Sequence, residues 1–503
     1  MPSPAKLTRF LWCAPLLLWG VLAAAFAVRL AGWAVDDCYI TYRYARNLAQ
    51  GDGFVFNPGE RVFGSTDPGL GLLLGALHAV TRVPVPLIGA AVFTLSLVGV
   101  ASILLLEGRR RGYLLETALG GTLLVTSSYF WSNQGAAAPL AILLLLLASL
   151  LSTRSTVAAG ILAGSAVWVR PDAGLGVVLL ALILSERKRI PWRFLWAAGC
   201  VVAAGIGLAW LYYGHPLPNT LGAKTDMAAA TPNSWSGWRF WLRAFGPIGR
   251  HFGGEWPAVL VAALAGCWPF ARKTGTSGRL IVLFGLAIAA VYPLLGVPFF
   301  SWYILPCLLM AAYGLAFFAG AAGDGLARRV PSLRGFRHAA VIGIFGALAF
   351  TTFWTSRAYF QGFTPAPYLR SYRRGAEWIK AHSEPGASIA YVEIGVIGYY
   401  SERPVLDLMG LVTPWARPYV VQGDILGAFR AKPTELVLFH TRGRMAPIVG
   451  SRWFKRRYRE VMRFEDSNAG NAALRIYRRQ PSPSKRRISS LRLSGKGMDF
   501  PVE

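Results

Sequence analysis

Val35-Asp36-Asp37-Cys38-Tyr39-Ile40-Thr41-Tyr42-Arg43-Tyr44-Ala45-Arg46-Asn47-Leu48 follows directly on an apolar run over 10–30. The run is long enough to cross a bilayer. Two adjacent carboxylates where a span leaves the membrane are costly near hydrocarbon, so their placement asks for a reason. A helix begun here, at about 100° per residue, puts Asp36, Tyr39, Arg43 and Arg46 on one face. Asp37, Thr41 and Tyr44 fall on the adjoining face. Both faces are polar and aromatic, so this helix reads as lying on the membrane surface. The plain alternative is an N-cap, in which an Asp satisfies free N–H groups and the helix dipole.

Outward from this stretch, apolar runs recur at 86–106, 113–131, 139–152, 157–169, 173–185, 194–213, 255–271, 280–297, 302–320 and 339–355. With the first, that makes about eleven transmembrane helices. The runs at 139–152, 157–169 and 173–185 are short and would thin the bilayer or borrow flanking residues. The run Leu70–Val80 is too short to cross. We therefore read 36–80 as one external loop with helices on the membrane surface.

Composition agrees. Hydrophobic residues make up 54% of the 503 and charged residues 15%, against about 25% charged in soluble chains. That excludes a cytosolic enzyme, a disordered chain and a disulfide scaffold. The formal charge is +28. In a soluble protein such an excess would suggest nucleic acid, but no nucleic-acid module accompanies it here. Short loops carrying Arg109–Arg111, Arg187–Arg189, Arg272–Lys273 and Arg328–Arg329 fall on one side, which is cytoplasmic by the positive-inside rule. The N-terminus is then inside and the C-terminus outside. The start of the chain also has features of a signal peptide, with Ala25-Phe26-Ala27 resembling a cleavage site. The five cysteines suggest neither a disulfide nor a Cys/His metal cluster.

Domain boundaries follow. Residues 1–356 form the transmembrane domain, 357–480 a small extracytoplasmic α/β domain, and 481–503 a disordered basic tail. In the second domain, Tyr368–His382 is an amphipathic helix, and Ser388–Glu393 and Leu436–His440 are buried strands.

Several motifs resemble those of bacterial GT-C glycosyltransferases, and are similar to those of the mycobacterial terminal β-arabinofuranosyltransferases. They begin with the Asp36-Asp37 stretch and Gly51-Asp52-Gly53-Phe54-Val55-Phe56-Asn57-Pro58-Gly59-Glu60-Arg61-Val62. Gly64-Ser65-Thr66-Asp67-Pro68-Gly69-Leu70 looks like a degraded form of a family element. Arg170-Pro171-Asp172, Tyr213-Gly214-His215-Pro216-Leu217-Pro218-Asn219-Thr220 with Ala223-Lys224, and Trp302-Tyr303 with Pro306 follow in order. The outer domain adds Ile394-Gly395, Ile397-Gly398-Tyr399-Tyr400, Arg403-Pro404-Val405 and Asp407-Leu408. One departure stands out: the family often has a Glu where this chain has Ala137, which puts donor choice or activity in doubt.

The resemblance implies an α-helical polytopic GT-C-like membrane protein of the bacterial inner membrane. It would be an inverting glycosyltransferase using a polyprenyl-phosphate sugar donor and a cell-envelope glycan or lipid acceptor. The physical reading agrees. One carboxylate must act as base on the acceptor hydroxyl, and a second can raise its pKa or orient the acceptor. The leaving lipid phosphate needs fixed cations. Asp36 and Asp37 are the catalytic candidates, with Asp36 favoured as base because Arg43 shares its face and could hold a carboxylate ionised. Arg170, Lys224, His215 and Asn219 are candidates for the donor phosphate. Tyr39, Arg43, Trp302 and Tyr303 are candidate substrate contacts. No cofactor is required, with a divalent cation on Asp37 left open. Two other readings compete: a lipid-linked sugar flippase, and a decayed assembly subunit.

Overall fold

The structure, a computed structural model, describes residues 13–30, 32–185, 189–230, 237–252, 256–330, 367–440, 443–465 and 473–481. The expected span 339–355 and the tail beyond 481 lie outside them.

The apolar runs form helices. In chain order these are α1 (Cys13–Arg29), then α2 (Asp36–Gln50) and α3 (Pro68–Thr81) in the loop, then α4 (Val85–Arg111), α5 (Leu114–Thr126), α6 (Ala138–Leu151), α7 (Thr156–Val169), α8 (Ala173–Ser185) and α9 (Trp192–Tyr213). After them come α10 (Asn219–Ala229), α11 (Trp238–Phe252), α12 (Trp256–Lys273), α13 (Gly275–Leu295) and α14 (Leu305–Arg329). Among the described residues, four helices are long and apolar enough to cross a membrane: Val85–Arg111, Trp192–Tyr213, Gly275–Leu295 and Ser301–Arg329. The last includes the turn Ser301–Ile304 before α14. On α9, Trp196, Leu208, Trp210 and Leu211 are exposed, as expected of side chains facing lipid rather than water.

Small residues bring the helices together, because lipid gives no hydrophobic drive between them. Gly266 of α12 and Gly314 of α14 lie backbone to backbone, and a Cβ on Gly266 would strike the Gly314 carbonyl. Gly75 of α3 likewise lets that helix rest on α2, where a Cβ would sit 2.9 Å from the Ala45 carbonyl. Helix α2 ends at Gly51, whose φ of 92° is the left-handed cap that glycine supplies without strain.

The C-terminal domain is a five-stranded sheet of order β2-β1-β3-β5-β4. Its strands are β1 (Ile389–Tyr391), β2 (Val405–Asp407), β3 (Leu436–His440), β4 (Tyr458–Glu465) and β5 (Ala473–Arg479). β1 pairs in parallel with β2 and β3, and β5 runs antiparallel to β3 and β4. Helix α15 (Pro367–His382) covers the sheet, with Tyr372, Ala376 and Ile379 buried. Helix α16 (Gly395–Ser401) leaves the carboxyl end of β1 and packs on α2. The sheet domain therefore sits directly on the loop that carries Asp36 and Asp37.

Candidate active site

A cavity of about 340 Å³ opens where the loop helices meet the ends of α7, α10 and α13. Asp37, Asp67, Arg170, Lys224, Trp302 and Tyr303 all line it. Each reaches it for a local reason.

Asp37 lies in the first turn of α2, where a carboxylate suits the dipole. It makes no capping bond there, since the N-cap residue is Val35 and carries no side-chain cap hydrogen bond. Asp67 is the N-cap residue of α3 and likewise makes no capping bond. Its carboxylate instead turns back to accept hydrogen bonds from the hydroxyls of Thr41 at 2.5 Å and Ser65 at 3.0 Å. The sequence hid Asp67 because Asp-Pro at a helix start reads as a cap with proline at N1. The legible clue was Thr41, one turn past Asp37 on the same face.

Two cations oppose these carboxylates. Arg170 ends α7 and is paired with Asp172 through two parallel bonds, at 2.9 and 2.5 Å. The Tyr292 hydroxyl donates to Asp172 at 2.7 Å and holds the pair from α13. Such forked geometry fixes the guanidinium plane and keeps Arg170 charged. Lys224, on α10, is buried. Its ammonium donates to the Tyr303 hydroxyl at 3.2 Å and lies 4.9 Å from the Phe300 ring centroid.

Burial pushes the Asp37 carboxyl above its ordinary range; Lys224 pulls it back and Asp67 adds to the rise. Burial raises Asp67 as well, against the Thr41 and Ser65 bonds. Both carboxyls are thus stronger bases than free aspartate.

The remaining candidates lie elsewhere. Asp36, expected as the base, does not line the cavity. Its two oxygens accept the backbone N–H groups of Gly395 at 3.1 Å and Val396 at 2.8 Å. Burial and then Glu393 raise its carboxyl. Arg43, expected to hold that carboxylate ionised and to touch substrate, is buried and donates to the carbonyls of Gly398 and Arg403, both at 2.8 Å. Tyr39 donates to the Gly32 carbonyl at 2.7 Å and packs on Tyr399 and Tyr400. His215 is exposed in the loop before α10 and outside the cavity lining. Asn219 is outside the cavity lining, and its amide donates to the carbonyls of Gly410 and Leu411 at 2.7 and 2.8 Å. For Asp36, Arg43 and Asn219 the reason is common: backbone amides and carbonyls of the sheet domain take these polar side chains, and sequence spacing cannot reveal them.

Ala137 does line the cavity, where the resemblance leads one to expect a Glu. Asp37 and Asp67 supply the cavity's acidic charge together with Asp172, which is already spent on Arg170. Among the described residues, no group of three or more His, Cys, Asp or Glu side chains could hold a metal ion.

The sheet domain, at residues 366–481, matches DUF8728, a domain of unknown function. No curated protein matches the chain. Among solved structures, apo ArnT from Cupriavidus metallidurans is similar at a TM-score of 0.54 and 12% identity, covering 94% of this chain and 98% of that one. The same protein bound to undecaprenyl phosphate gives 0.51 at 12% identity, covering 92% and 98%. The Archaeoglobus fulgidus oligosaccharyltransferase, in complex with Zn and sulfate, gives 0.53 at 10% identity, covering 84% and 67%. At such identities the likeness is one of fold. The fold is that of the GT-C class, and the chain is a multi-pass membrane protein with a small C-terminal sheet domain.

Proposed function

We propose that the protein is an inverting membrane glycosyltransferase that moves a sugar from a polyprenyl-phosphate donor to a glycan or glycolipid acceptor. The cavity faces the extracytoplasmic side, with the N-terminus in the cytoplasm of a bacterial inner membrane. One observation carries the reading: a single cavity at the loop face of a GT-C fold is lined by two carboxylates of raised basicity and two fixed cations.

Asp37 is the base. It takes the proton of the acceptor hydroxyl as the oxygen attacks the anomeric carbon. The bond from that carbon to the phosphate oxygen breaks, and its electron pair leaves on the lipid phosphate. Arg170 and Lys224 meet that charge where it develops, in a site already arranged for it. Asp67, tied by Thr41 and Ser65, keeps Asp37 basic by like-charge repulsion. Trp302 and Tyr303 offer flat apolar faces to sugar or lipid. Asp37 and Asp67 are also the oxygens that a divalent ion would find. Two carboxylates are thin ligation for one, since calcium takes roughly six to eight oxygens, and no step here is assigned to a metal.

A flippase would not need two carboxylates facing two cations in one cavity. A decayed subunit would have no reason to hold Lys224 buried opposite Asp37. The resemblance to arabinofuranosyltransferases supports a pentofuranose as the first donor to try. The test is transfer from a panel of polyprenyl-phosphate monosaccharides, arabinofuranose included, by purified wild type and Asp37→Asn. Wild type should consume one donor of the panel. Asp37→Asn should be slower by roughly 100-fold or more, the usual contribution of a general base. Equal rates of transfer would refute Asp37 as the base, and no transfer from any donor would refute the glycosyltransferase reading.

A further inference from the structure

Asp36 is adjacent to the proposed base, buried, and committed to the sheet domain. On α2 it shares a face with Arg43, seven residues on, and Asn47, eleven on, within about 20°. Asp37 and Thr41 are rotated from that face by about 100° and 140°, and these are residues that line the cavity. Helix α2 therefore has a docked face and a working face. Whatever fixes the first fixes the aim of the second.

The docked face is matched to α16 by charge. The Asp36 carboxylate takes the first two backbone N–H groups of that short helix. Arg43 takes the Gly398 and Arg403 carbonyls, and Arg46 takes the Tyr399 carbonyl at 2.7 Å. The Asp36 carboxyl thus sits at the N-terminal end of α16 and two guanidiniums toward its C-terminal end. Nearby, the side chain of Asn57 pairs with both backbone groups of Val405 at the start of β2, each at 3.0 Å. The contact has no slack. Gly395 presses against the Asp36 carbonyl, and a Cβ on Gly398 would sit 2.7 Å from both Arg43 Nη1 and Phe56 Cζ.

We propose that the C-terminal sheet domain is the device that aims the catalytic carboxylate, with Asp36 and Arg43 as positioning residues that lock α2 to α16 so that Asp37 points into the cavity. This rests on the glycosyltransfer reading above and assigns the domain a task within it. The contact of α16 with α2 acts on the chemical step; the domain meets α10, which carries Lys224, through a separate contact of Asn219 with Gly410 and Leu411.

Gly395→Ala is the cleanest perturbation. Its backbone φ lies outside the left-handed region, and alanine is the better helix former. The atoms nearest the new methyl are the Asp36 carbonyl and carboxylate, so it pushes α16 from α2 at a residue that does not line the cavity. Gly386→Ala, whose Cβ would meet nothing within 4 Å, is the control in the same domain. Three measurements are made on full-length protein: binding of undecaprenyl phosphate, turnover with the most active donor of the panel, and amide hydrogen exchange over residues 36–50. Gly395→Ala and Arg43→Gln should each lower kcat at least 10-fold, leave the dissociation constant of undecaprenyl phosphate within about twofold, and speed exchange over 36–50. Asp36→Asn keeps one acceptor oxygen and should fall between these variants and wild type. If exchange over 36–50 rises while kcat stays at the wild-type value, the aiming role is wrong. If donor binding falls in parallel with kcat, the contact is merely structural. Asp37→Asn and wild type, run alongside, separate the claims: no transfer by wild type from any donor overturns the glycosyltransfer reading, full activity in Asp37→Asn overturns Asp37 as the base, and full activity in Gly395→Ala and Arg43→Gln alone overturns only the aiming role.

Discussion

Lys224→Met removes the buried ammonium while keeping an unbranched apolar stem against Phe300 and Tyr303. Removing the cation leaves Asp37 buried without it, so some loss of stability is expected, relieved as Asp37 takes up a proton; the thioether still packs on the aromatic edges. An ammonium has three N–H donors, and the Tyr303 hydroxyl takes one. In the proposed complex the others meet the lipid phosphate. Hydrogen bonds to charged groups contribute about 1.5–3 kcal/mol, so binding of undecaprenyl phosphate should weaken roughly 10- to 150-fold. A second consequence is independent of affinity. Lys224 lowers the Asp37 pKa, so its loss lets that pKa climb. A base works only when deprotonated, so the acid limb of the rate profile should move to higher pH. The assay is equilibrium binding of labelled undecaprenyl phosphate to protein in nanodiscs, followed by kcat against pH with the active donor. Binding within twofold of wild type and an unmoved acid limb would refute the assignment.

Other expectations follow from the same geometry. Arg170→Met leaves Asp172 buried without its cation and should cost about 3–5 kcal/mol of stability. Adding Asp172→Asn should restore most of the unfolding midpoint but not phosphate binding. Asp67→Asn removes a charge that raises the Asp37 pKa, so the acid limb should move to lower pH, the opposite sense to Lys224→Met. Gly69→Ala would place a Cβ 2.9 Å from the backbone of Trp168 and should destabilise the seat of α3 by about 1–3 kcal/mol, read by thermal unfolding. A reporter active only outside the cytoplasm, fused after residue 480, should be active; activity of a cytoplasmic reporter there would overturn the proposed orientation.

The fold was largely legible because hydrocarbon imposes a strong pattern. Among the described residues the apolar runs became helices, most of them within a few residues of their expected limits, and α2 and α3 formed over the stretch read as a loop. The sheet domain was half legible. The apolar strand at Leu436–His440 announces itself, and β1 forms within the expected 388–393. By contrast β4, Tyr-Arg-Glu-Val-Met-Arg-Phe-Glu, alternates charge with apolar residues on an edge and looks like surface. Of the cavity residues, Asp37 could be picked out because a carboxylate at the end of a span asks for a reason, and Arg170 and Lys224 because they stand in the motifs that carry the resemblance and a leaving phosphate needs cations. The choice between Asp36 and Asp37 could not. It turns on which carboxylate meets two backbone amides some 360 residues away, a contact made by folding and invisible in local spacing. Asp67 was passed over for a related reason: a cap and a cavity carboxylate have the same sequence.

The central claim is that Arg170 and Lys224 hold one lipid phosphate opposite Asp37. A structure of the full chain with undecaprenyl phosphate bound tests it most directly. The account predicts phosphate oxygens at about 3 Å from both the Arg170 guanidinium and the Lys224 ammonium, with Asp37 facing the vacant side of the phosphate where sugar and acceptor meet. A phosphate bound away from either cation, or an Asp37 carboxylate turned out of the cavity, would contradict it.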